Sequence, residues 1–80
     1  MITVQVKLFA TLRRYHPHLK LGQAMPVELP DGATVGQMIE QLGLSTDEVK
    51  LIFVNNRVRK PDHPLADGDG IGLFPPVGGG

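Results

Sequence analysis

The residues best suited to chemistry lie at the C-terminal end, in the stretch Pro75-Pro76-Val77-Gly78-Gly79-Gly80. Gly makes up about 7% of average proteins, so three in succession at a terminus would arise by chance in roughly 0.03% of chains. A frayed end is the plain explanation, but the preceding residues argue for use. Pro75 and Pro76 fix φ at two successive positions and favour extended polyproline geometry, so the tail is expected to point away from the domain. Six residue steps from Phe74 to Gly80 span roughly 20 Å when extended. Gly78, Gly79 and Gly80 carry no Cβ and can thread a channel that any side chain would block. The unhindered Gly80 carboxylate is then a group that can be activated inside another protein's site.

Other chemistry-bearing residues read more simply. The chain has no Cys, hence no thiolate nucleophile, disulfide or Cys-ligated metal. His16, His18 and His63 could in principle hold zinc, but they are expected to be loop residues, and no metal site is predicted. Asp67-Gly68-Asp69-Gly70 resembles the start of a calcium loop but lacks the bidentate Glu at position twelve, so it reads as a turn. Arg57, Arg59 and Lys60 form a small basic patch. It either guards a sheet edge or meets an acidic partner surface. Strand pleating sends Leu73 and Phe74 to opposite faces, so one enters the core and the other is left where the tail begins.

The elements that must position these residues follow from periodicity. Ile2, Val4, Val6 and Leu8 alternate with polar residues, as in a strand with one buried face. Residues 9–15 suggest a helical turn that ends before Pro17. Met25 to Leu29 reads as a second strand, at an edge because of Pro26. Thr34 and Gln37 match a capping box, and Val35, Met38, Ile39 and Leu42 form one helical stripe closed by Gly43. Ser45 to Glu48 suggests a shorter helix started in the same way. Leu51-Ile52-Phe53-Val54 is a continuous apolar strand, Asn55-Asn56 a tight turn, and Arg57-Val58-Arg59 the return. A loop over residues 60–64 and the turn at Asp67 lead to a last strand, Ile71 to Phe74. The order predicts an α+β domain: a mixed sheet packed on one main helix, with the first and last strands parallel in its middle. The expected division is a globular domain over 1–74 and a flexible tail over 75–80.

Length and composition set the outer bounds. Eighty residues make one domain with little interior for an enclosed active site. Eight basic and eight acidic residues cancel, which leaves no electrostatic footprint for nucleic acid or anionic membrane. No leader-like or membrane-spanning run is seen, and a cytoplasmic location is expected.

Several segments resemble the MoaD/ThiS family of ubiquitin-like β-grasp sulfur carriers, nearest to those that serve as the small subunit of molybdopterin synthase. The resemblance rests on Asp62-His63-Pro64-Leu65-Ala66-Asp67-Gly68-Asp69, on Phe74-Pro75-Pro76-Val77 and on the terminal Gly79-Gly80. Leu8-Phe9-Ala10, Leu12-Arg13 and Val54-Asn55 also match. Gly78 stands where the family usually has Ala, Ser or Thr, and Gly70 where it often has Glu.

The resemblance implies a carrier and not an enzyme. An adenylyltransferase of the ubiquitin-activating type would use ATP to adenylate Gly80, and a sulfur donor would leave a thiocarboxylate. The tail, Pro75 through Gly79, would thread the large catalytic subunit, where sulfur passes to a pterin precursor and builds the dithiolene that holds molybdenum or tungsten. Phe74 would sit at the hydrophobic partner contact, and no cofactor would be bound by the chain itself; the basic patch of Arg57 and Arg59, read from the residues alone, is the further candidate contact. The alternatives are a thiamine-pathway carrier, favoured by Gly78 but not by Pro75-Pro76, and a ubiquitin-like modifier conjugated through Gly80. A plain interaction module with an idle tail is a third.

Overall fold

A computed structural model of the chain describes residues 1–16 and 23–76. His18 and the tail residues Val77, Gly78, Gly79 and Gly80 lie outside the described residues. Five strands form one sheet: β1 (Ile2–Leu8), β2 (Met25–Leu29), β3 (Leu51–Val54), β4 (Arg57–Val58) and β5 (Gly70–Phe74). The spatial order is β2-β1-β5-β3-β4. β1 and β5 are parallel neighbours in the centre, as expected from the helix that lies between them in sequence and supplies the crossover; the other pairs are antiparallel. β2 is an edge strand, which leaves Pro26 without a ladder bond to lose.

The helix α1 (Val35–Gln41) covers one face of the sheet. Its start leaves no orphan donor. Val35 N–H donates to His63 O (3.0 Å), Gly36 N–H to Pro61 O (2.8 Å) and Gln37 N–H to Thr34 Oγ1 (3.3 Å). Gln37 Oε1 accepts in return from Thr34 N–H at 2.9 Å, which completes the capping box. At the other end Gly43 adopts φ +81, Leu44 N–H donates to Ile39 O and Gly43 N–H to Glu40 O. That is a Schellman closure, which needs a residue free of a Cβ penalty. Val35, Met38 and Ile39 are fully buried against Val4, Val6, Leu29, Ile71 and Leu73. Burial of each such side chain contributes about 1.5–3 kcal/mol.

The helical turn expected after β1 forms as a 3-10 helix, Ala10–Tyr15, entered through Ala10 at φ +53. Two local expectations are corrected. The segment after Ser45 is one 3-10 turn, Thr46–Glu48. Ser45 Oγ caps it by accepting from Asp47 N–H, but Glu48 does not reach back to complete a box. Instead its carboxylate accepts from the Tyr15 hydroxyl and pairs with Arg14, tying the two 3-10 segments together. The return strand stops at Val58, although Arg59 N–H still donates to Ile52 O.

Candidate functional site

The strand that leads into the tail carries the site. Alternation along β5 buries Ile71 and Leu73 under α1 and turns Gly70, Gly72 and Phe74 to the other face. Between the two places open to it, Phe74 therefore lies on the uncovered face and Leu73 in the core. Register puts Leu51 and Phe53 of β3 on Phe74's face, with Val58 of β4 opposite Phe53. Leu51 and Val58 are exposed, at 41% and 58%.

All three phenylalanines of the chain meet here. The Phe9 and Phe74 rings stack at 4.3 Å between centroids and 2° between planes. Phe53 meets Phe74 edge-on at 5.4 Å and 77°. Such pairs add about 0.5–1.5 kcal/mol beyond their area burial. Gly72 lies beneath them, where a Cβ would stand 3.3 Å from Phe9 Cε2. Gln5, Lys7, Phe9, Phe53, Gly72 and Phe74 line an open groove of about 480 Å³. An apolar floor with a polar rim is the make-up of a protein-binding surface.

The backbone at the root of the tail is held from both sides. Leu73 O accepts from Phe9 N–H at 3.1 Å and Phe74 O from Lys50 N–H at 2.8 Å. After Phe74 the strand ends; Pro75 is half-buried and Pro76 exposed.

The remaining named residues lie elsewhere. Arg57 and Arg59 flank Val58 and line a second groove with His63, on the face opposite Phe74, so they do not share one surface with the aromatic group. Among the described residues no three His, Cys, Asp or Glu side chains converge as metal ligands, and no helix is long and apolar enough to cross a membrane. The Asp67–Gly70 turn is structural. Asp67 Oδ1 accepts from Thr3 N–H at 2.8 Å, and Asp69 accepts from Ala66 N–H and Asn55 Nδ2.

Reasoning from sequence missed Phe9 and Phe53 as parts of this surface. The available signal was the unbroken run Leu51-Ile52-Phe53-Val54. With Ile52 and Val54 facing α1, no polar residue is left for the other face, so that face is apolar too.

A five-stranded mixed sheet on one helix, with its central strands parallel, is the ubiquitin-like β-grasp fold. Residues 6–80 match the model of the ThiS family, and the chain belongs to that family. A Pyrococcus furiosus protein, provisionally assigned as subunit 1 of molybdopterin converting factor, has a similar structure. It is 33% identical with a TM-score of 0.75, covering 96% of this chain and 100% of that one. Small archaeal modifier protein 1 of Haloferax volcanii is 24% identical with a TM-score of 0.76, over 96% of this chain and 100% of that one. A chain of the complex of subunits 1 and 2 of molybdopterin-converting factor from Helicobacter pylori is 22% identical with a TM-score of 0.61, over 99% and 100%. No curated protein matches the chain.

Proposed function

We propose that this chain is a sulfur carrier of molybdopterin synthesis, with Gly80 as the carrying residue. The supporting observation is the junction at Phe74: the last strand ends on an open apolar face and passes directly into the Pro75-Pro76 tail. Membership of the ThiS family supports the carrier class, and the likeness to the P. furiosus protein favours the molybdopterin pathway within it.

In this reading a separate adenylyltransferase docks on the aromatic face. A Gly80 carboxylate oxygen attacks the α-phosphorus of ATP and pyrophosphate departs. The carboxyl carbon, a poor electrophile as carboxylate, becomes reactive as the acyl-adenylate. A sulfide-level donor, as HS⁻, attacks that carbon, the C–O bond to AMP breaks and AMP leaves, and the added sulfur remains on the tail as a thiocarboxylate. The same face then docks on a large subunit, and the tail delivers sulfur to a pterin precursor; the H. pylori neighbour is itself part of a complex of subunits 1 and 2. The acid–base and phosphate-binding groups belong to the partners; this chain supplies a covalent co-substrate and the surface that aims it.

The test is mass spectrometry of the chain after incubation with its activating enzyme, ATP and a sulfur donor. Replacement of one C-terminal oxygen by sulfur supports the reading. Isopeptide conjugates on a denaturing gel, with no sulfur gained, would favour a protein modifier instead.

A further inference from the structure

The aromatic group does more than offer a surface. Phe9 precedes Ala10, whose φ of +53 lies in the left-handed region that L-residues enter at a cost. That bend ends the β1 direction and leaves Phe9 beside β5. Its N–H is bound to Leu73 O, and its carbonyl accepts from Leu12 N–H at 3.2 Å. The ring then crosses the bare backbone of Gly72 to lie flat on Phe74. Phe53 closes the Phe74 ring from a second side, and Lys50 N–H holds the Phe74 carbonyl. The next residue is Pro75, whose φ is fixed by its ring. Phe74 is thus restrained at ring and carbonyl at the point where the tail departs.

From this geometry we infer that Phe9 is a positioning residue, which sets the direction of the tail through its stack on Phe74. The inference rests on the carrier reading for its consequence, delivery of the Gly80 carboxylate. For six residue steps drawn out to roughly 20 Å, a turn of about 10° at the root would displace the end by roughly 3.5 Å. A misplacement of about 1 Å at a reacting group can cost on the order of a hundredfold in rate. A direction held while the globular body is docked raises the fraction of docked complexes in which the carboxylate is within reach of the α-phosphorus. Gly72 is part of the device, because a larger residue there would lift the Phe9 ring from its partner.

Two variants separate this role from simple contact. Phe9→Leu removes the stacking ring. Gly72→Val keeps Phe9 and displaces it. Urea unfolding first establishes that each is folded. Carbon-13 relaxation of the Pro75 Cα–Hα bond, since proline has no N–H, then reads order at the root with no partner present. The inference predicts a fall from a rigid-backbone order parameter of about 0.85 to below about 0.6 in both variants. With the activating enzyme, adenylate formation should lose about tenfold or more in kcat, with KM changed less than about threefold; a 1 Å error already allows more. Phe9→Tyr, which keeps the stack, should restore both readouts. Unchanged order at Pro75, a loss confined to KM, or failure of Phe9→Tyr to rescue would overturn the inference. A wild-type chain that is never adenylated would overturn the carrier reading and, with it, the catalytic consequence. The order of Pro75 would still decide whether Phe9 directs the tail.

Discussion

Asn55 and Asp69 are joined by a hydrogen bond from Asn55 Nδ2 to Asp69 Oδ1 at 2.9 Å, and Asn55 Oδ1 accepts from Gly70 N–H at 2.9 Å. One side chain thereby fastens the β3–β4 turn to the start of β5. Asn55 also carries φ +51, as the turn requires of its first central residue. Two variants divide these contributions. Asn55→Gly keeps the backbone conformation and loses two bonds, at about 0.5–1.5 kcal/mol each. Asn55→Ala loses the same bonds and adds the left-handed cost of about 1–2 kcal/mol. Urea unfolding should rank wild type above Gly and Gly above Ala. Equal stability of the Gly and Ala variants would show that the left-handed conformation is not held in solution.

Much of the fold was legible because local signals agreed with the global pattern. Thr34, Gln37 and Gly43 bound a helix whose apolar stripe is unambiguous, and the alternation from Ile2 to Leu8 admits one reading. The site was less legible. Phe74 could be assigned to either face until Leu73 was seen in the core. Phe9 is 65 residues from its partner Phe74 in sequence, and no periodicity links a residue after β1 to the end of β5. Glu48 carried a capping signal but is taken by Tyr15 and Arg14, a contact between segments that sequence spacing does not encode.

Neighbouring residues of β5 should respond in opposite ways. Leu73 is fully buried, so Leu73→Ala should cost about 2–5 kcal/mol of stability. Phe74 is half-buried on the open face, so Phe74→Ala should cost less stability and weaken partner docking by about 2 kcal/mol or more. Unfolding midpoints and binding to the large subunit, measured on both variants, test this. Normal binding by Phe74→Ala with a collapsed midpoint would place its role in folding alone.

Gly43 has φ +81 and open space where a Cβ would stand. Gly43→Ala should therefore cost about 1 kcal/mol from backbone conformation and nothing from a clash. For a domain of this size that corresponds to a fall of about 4–8 °C in Tm. A thermal melt with no change would mean that the helix end relaxes away from the left-handed closure.

Folding should need no metal. The core of Val4, Val6, Met38, Ile39 and Leu73 is continuous without one. A chelator should leave the thermal melt unchanged, and a large loss of stability on chelation would revive a His-ligated site.

The central claim is that Gly80 is the working residue, and its deletion tests that most directly. Shortening the tail by one residue retracts the carboxylate by about 3.5 Å. The core and both hydrogen bonds at the tail root lie upstream of it, so the unfolding midpoint should not move. Mass spectrometry after incubation with the activating enzyme, ATP and a sulfur donor should show sulfur replacing oxygen on the full chain. The shortened chain should show none. Equal sulfur gain by the shortened chain would contradict the account.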